Sequence, residues 1–160
     1  MRIAEIAIIG ANSEEKRLFI QSLCSKLELD TEHITFGRFP INDQLVLHLY
    51  GIVILPNAPP IAWDLISKKM LGYVVLYSWN DTEAFEQLKP VLDHLTSRSY
   101  APLVVAANTP NGHQPVPQQI YEGGVSLTTE GKFMFCDVRK PASVRKILVA
   151  LVDSLIDKMP

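Results

Sequence analysis

Apolar positions along the chain fall into short continuous runs that alternate with stretches of helical spacing. Residues 3–9 form one such run, closed by Gly10, and predict a buried strand. Asn12 or Ser13 is placed to cap a following helix. Glu14 and Glu15 stand in its first turn, where the helix dipole favours acids, and Leu18, Phe19, Leu23 and Leu27 recur at helical spacing. The polar residues 30–33 read as a loop. Residues 34–39 and 44–55 predict two strands, and 40–43, with Asn42 and Asp43 as turn residues, join them as a hairpin. Pro56, Pro59 and Pro60 predict a rigid loop, followed by a helix over 61–70 and a β-rich run over 72–78. Asp81 and Thr82 open a helix to about Leu95, which Pro90 is expected to kink or interrupt. A strand over 103–107, a loop dense in Pro, Asn and Gly over 108–117, a short helix over 118–121 ended by Gly123 and Gly124, and a strand over 132–137 come next. The chain closes on an amphipathic helix over 143–158, with Val144, Ile147, Leu148, Leu151, Leu155 and Ile156 on one side.

Strands alternating with helices predict a mostly parallel sheet covered on both faces: one α/β domain over residues 1–160, in three α/β/α layers. The expected sheet has six strands, with the hairpin supplying one antiparallel edge strand. Ligands of such sheets sit at the carboxyl ends of the strands. Here those ends are Gly10 to Lys16, Gly51 onward, Trp79-Asn80, Asn108 to Asn111 and Asp137 to Lys140.

Composition narrows the function. Hydrophobic residues are 48% and charged residues 20% of 160, and the formal net charge is −2, so no global pull toward nucleic acid or anionic lipid is expected. The longest apolar runs are strand-sized, so no membrane span is expected, and no targeting or lipidation motif is read. Cys24 and Cys136 fit no metal or redox spacing and read as reduced, buried thiols of a cytoplasmic protein. His33, His48, His94 and His113 are scattered, with no pair at metal spacing, and no Gly-x-Ser-x-Gly elbow is present.

The order of elements, with the loops Ile8-Ile9-Gly10-Ala11-Asn12-Ser13-Glu14-Glu15-Lys16-Arg17, Thr35-Phe36-Gly37-Arg38, Leu47-His48-Leu49-Tyr50-Gly51, Val104-Val105-Ala106-Ala107-Asn108 and Cys136-Asp137-Val138-Arg139, resembles the small Ras-like GTPases, nearest the bacterial MglA-like branch. The resemblance implies a Ras-like phosphate-loop fold. It places vestigial nucleotide-binding positions at Gly10, Asn12, Ser13, Lys16, Asn108, Asn111 and Asp137. It also implies a partner surface around the switch region, represented by Phe36, Arg38, Ile52, Ile54 and Pro56, that meets a roadblock-type regulator or a second copy of the chain.

The departures from that pattern set the functional expectation. A phosphate loop wraps phosphates with backbone N–H groups of small residues, then supplies Lys and a hydroxyl for Mg²⁺. Here Gly10 and Lys16 keep the spacing, but Glu15 stands where the second glycine belongs and Arg17 where the hydroxyl belongs. The second switch reads Gly51-Ile52-Val53-Ile54-Leu55, without an acid or a water-positioning side chain. Thr31 or Thr35 is the candidate first-switch threonine. The base motif reads Asn108-Thr109-Pro110-Asn111, and Asn111 offers one acceptor where an Asp offers two. The expected function is therefore a pseudo-GTPase: a regulatory protein-protein interaction module with no cofactor, no metal and no catalytic residue. The alternative is a divergent switch that binds GTP or GDP with Mg²⁺ and hydrolyses GTP slowly or with a partner's help. The direction of the Glu15 side chain is left open.

Overall fold

The computed structural model describes residues 2–54, 70–79, 81–98, 102–109 and 131–158. Seven strands and three helices are found there: β1 (Arg2–Gly10), α1 (Ser13–Gln21), β2 (Leu27–Asp30), β3 (Ile34–Pro40), β4 (Leu45–Val53), β5 (Gly72–Ser78), α2 (Thr82–Arg98), β6 (Leu103–Asn108), β7 (Gly131–Cys136) and α3 (Pro141–Lys158). The strands form one sheet in the order β2-β3-β4-β1-β5-β6-β7. Strands β4, β1, β5, β6 and β7 are mutually parallel, with Ile8 of β1 opposite Gly51 on one side and Val74 on the other.

The apolar run from Ile6 to Ile9 of β1 follows from its central place. Ala4, Ile6 and Ile8 face a core shared with Phe19 and Ile20 of α1 and Val144, Ile147, Leu148 and Leu151 of α3. Ala7 and Ile9 face the opposite core, with Leu88, Val91, Leu92 and Leu95 of α2. A strand covered on both faces has no position left for a polar alternation.

Three expectations need correction. The sheet has seven strands, because residues 27–30 form β2 and pair antiparallel with β3. The strand antiparallel to the rest is therefore β3, inside the sheet, while the edge strand β2 runs parallel to the majority. Helix α1 stops at Gln21, short of the predicted Leu27. Ser22 ends it by donating its hydroxyl to the Val138 carbonyl at 2.6 Å, and a turn closes on Ile20 through the Leu23 and Cys24 amides. Leu27 then joins β2, where Leu27-Glu28-Leu29-Asp30 alternates with the period of a strand. The hairpin of β3 and β4 stands as expected, and Asn42 builds its turn by accepting from the Gln44 and Leu45 amides. The helix expected over 61–70 lies almost wholly outside the described residues, as do the loop from Pro110 to Pro117 and the short helix over 118–121.

Candidate functional site

Between β1 and α1 lie only Ala11 and Asn12. Asn12 is extended (φ −115°, ψ 118°), and its side chain accepts the Glu15 amide at 3.0 Å while its carbonyl accepts the Lys16 amide at 3.1 Å. The expected phosphate loop is thus replaced by a two-residue turn with an ordinary N-cap. The amides that a phosphate would need from Glu15 and Lys16 are spent inside the helix. Gly10 serves close approach: a Cβ there would lie 3.1 Å from the Leu76 carbonyl.

Lys16 is neither a free phosphate ligand nor a solvated helix residue. It is completely buried, and its Nζ donates to the carbonyls of Thr31 at 3.1 Å and Glu32 at 3.2 Å, in the turn between β2 and β3. Ser13 donates to the same Glu32 carbonyl at 2.8 Å, so α1 grips that turn at two points. The lysine's alkyl stem lies over Gly51, where a Cβ would come within 2.7 Å of Lys16 Cγ and of Ile20 Cδ1. Burial pushes the Lys16 ammonium down to about 8; nearby Asp30 pulls upward, Arg17 downward and Glu32 upward by smaller amounts.

Glu15 turns inward and is 8% exposed. Its Oε2 accepts from the Ser78 hydroxyl at the end of β5 and from Asn108 Nδ2 at 2.7 Å, while its Oε1 is buried without a hydrogen-bond partner. Asn108 Oδ1 accepts the Val138 amide at 3.0 Å. One asparagine therefore ties the start of α1 to the ends of β6 and β7. Asp137 is also buried, and its Oδ1 accepts the Arg139 amide at 3.0 Å, while its own amide donates to Ser143 Oγ at 2.8 Å in the turn leading to α3.

The structure thus brings Gly10, Asn12, Ser13, Lys16, Asn108 and Asp137 to the carboxyl end of the sheet, and the polar side chains among them are engaged within the chain. Asn111 lies outside the described residues. Both candidate switch threonines are also engaged: the Thr31 hydroxyl bonds the Ile34 carbonyl and amide, each at 3.0 Å, and buried Thr35 donates to Asp30 Oδ1 at 3.1 Å. Ser78 was missed by sequence reasoning. Its only signal was a hydroxyl at the carboxyl end of a predicted parallel strand.

The expected partner surface divides. Ile52 and Ile54 are 0% and 2% exposed, in the core under α2, so their assignment to an exposed face is corrected: β4 continues through Val53, and Ile54 donates its amide to Gly10. Pro56 lies outside the described residues. Phe36 is half-buried, with its ring 4.9 Å from Tyr50 and 5.3 Å from His48, and exposed Arg38 pairs with Glu28 at 2.8 Å. Tyr50 donates to Glu5 Oε2 at 2.7 Å on the same face.

Among the described residues, no three His, Cys, Asp or Glu side chains are grouped so as to hold a metal ion, and no helix is long and apolar enough to cross a membrane. In comparisons with known proteins, the chain matches no protein-family model and no curated protein.

Proposed function

We propose that this protein is a degenerate small GTPase-like domain that acts in the cytoplasm as a regulatory protein-protein interaction module, with weak or no GTP binding and hydrolysis. One observation carries the reading: Lys16, at the phosphate-loop position, is fully buried and spends its ammonium on the Thr31 and Glu32 carbonyls. A triphosphate at that place has to displace both bonds. It also has to enter beside the Glu15 carboxylate, a unit charge of its own sign. The face of the β3–β4 hairpin bearing Phe36, Arg38, His48 and Tyr50 is the partner surface this reading favours, for a roadblock-type regulator or a second copy. Aromatic and Arg side chains are the types enriched in such interfaces.

Titration with fluorescent GDP and GTP in Mg²⁺, together with chromatography of heat-released ligands, tests the proposal. The expected outcome is no co-purified nucleotide and no saturable binding. Stoichiometric nucleotide, or Mg²⁺-dependent binding abolished by Lys16→Ala, sinks the module reading and establishes the divergent nucleotide switch in its place.

A further inference from the structure

Helix α3 turns Val144, Ile147, Leu148 and Leu151 into the core and leaves a second stripe outward. On that stripe Arg145, Val149 and Asp153 follow one another at four-residue spacing, and all three are exposed. Val149 is 58% exposed, the highest value among the large apolar side chains of the described residues. With Met134 of β7, Lys146 and Ala150, these side chains line an open groove of about 530 Å³ between the helix and the last strand of the sheet.

The charges on this stripe are idle among the described residues: Arg145, Lys146 and Asp153 make no hydrogen bond or ion pair with any of them. At about 1.5 Å per residue, Arg145 and Asp153 stand about 12 Å apart along the axis, too far to pair with each other. The helix dipole does not account for them either. It favours acids near the start of a helix and bases near its end, and α3 carries the reverse order.

That order is its own complement. When two copies of α3 lie antiparallel across a two-fold axis at Val149, the valine meets itself. Arg145 of each copy then faces Asp153 of the other, because the two stand four residues from the axis on opposite sides. The small side chain of Ala150 beside the axis lets the helices approach to the usual separation of about 8–10 Å. A parallel arrangement sets Arg145 against Arg145 and Asp153 against Asp153, and like charges repel. We infer that this face of α3 receives a second copy of the chain, in an isologous dimer with Val149 on the axis and an Arg145–Asp153 pair on either side. The face lies at the β7 end of the sheet, away from the β3–β4 hairpin, so the inference goes beyond the proposed function and does not depend on it.

Sedimentation velocity over a concentration series into the high micromolar range tests this on the full chain, with Arg145→Asp, Asp153→Arg and the two combined. All three variants change exposed positions only. A reversible dimer is expected in the parent, weakened at least about tenfold by either single reversal, since the symmetry puts each change into two pairs. The combined variant is expected to recover the dimer. Mixing the two single variants is expected to give a heterodimer, because each supplies the charge the other lacks. Arg38→Glu, on the hairpin, is expected to leave the dimer intact. The inference is overturned by a monomer at every concentration, which leaves the groove to a different protein, by a dimer that neither reversal weakens, or by a loss that the combined variant does not recover. A dimer lost in Arg38→Glu and kept in the α3 variants also overturns it, and assigns self-association to the hairpin face.

Discussion

Lys16 shows how one side chain records the conflict between burial and charge. Its pKa falls from 10.5 to about 8 because the folded chain removes the ammonium from water and returns two neutral carbonyls. A shift of that size means that the folded chain disfavours the charged form, relative to the neutral form, by on the order of 3 kcal/mol more than the unfolded chain does. The pH dependence follows. Below about pH 8 Lys16 is charged in both states, and the penalty is fully present. Between about 8 and 10.5 the folded chain has released the proton and the unfolded chain keeps it, so this group's contribution to stability rises with pH. The thiols act in the opposite sense. Burial holds Cys24 at about 11 and Cys136 at about 12, so unfolding releases their protons first and stability falls as pH climbs past 9.0. A comparison with Lys16→Met isolates the lysine. Denaturant unfolding is expected to find the variant at least as stable as the parent at pH 7, since an apolar replacement of a buried charge is often neutral or stabilising. The difference between the two is expected to shift in favour of the parent as pH approaches 10. A difference that does not change with pH would mean that the ammonium is hydrated in the folded state.

At the scale of elements, α2 shows local propensity yielding to burial. Pro90 sits in the middle of this helix, yet the helix runs unbroken from Thr82 to Arg98. Proline inside a helix costs about 3 kcal/mol. Leu88, Val91, Leu92 and Leu95 are buried against the sheet, and each aliphatic side chain so buried contributes about 1.5–3 kcal/mol, which exceeds that cost in sum. Pro90 itself is exposed, so its ring can be removed without opening a hole in the core. Pro90→Ala is therefore expected to stabilise the protein by roughly 1–3 kcal/mol, read as a higher melting temperature with unchanged helical content. The same competition explains which elements were legible in the sequence. Strands β1, β5 and β6 were plain because both faces are buried and the apolar run is continuous. Strand β2 was hidden because Leu23 and Leu27 happen to extend the helical spacing of α1. The helix stops where Ser22 bonds Val138, 116 residues away in the chain, and where the Leu23 and Cys24 amides turn back onto Ile20. The alternation over Leu27 to Asp30 was the available signal, and four residues are too few for it to outweigh the helical pattern.

At the scale of the whole molecule, the parallel topology gathers three distant segments around one asparagine. Asn108 donates to Glu15 and accepts from Val138, both across buried surroundings. Removing it leaves a buried carboxylate and a buried amide short of a partner, a loss of roughly 2–4 kcal/mol for the two together. Asn108→Ala is expected to lower stability by that amount in urea unfolding and to speed hydrogen exchange at the Val138 amide. Unchanged exchange would mean that this amide is protected by its surroundings rather than by Asn108. The positions of Lys16 and Asn108 at the strand ends were readable from the sequence. Their partners were not. No spacing rule links Glu15 to Ser78, or Lys16 to the Thr31 and Glu32 carbonyls, because those contacts depend on how far α1 advances toward β1 and on a turn whose flanking strand β2 went unread.

The central place of β1 has a consequence in time. It is made first, but its neighbours in the sheet begin only at Leu45 and Gly72. At a synthesis rate of roughly 5–20 residues per second, this strand waits several seconds before both of its edges are occupied. Its pairings are long-range, which places refolding of the full chain in the slower part of the range for small domains, milliseconds to seconds. The strand at the centre of the sheet is thus the one held longest without its final neighbours.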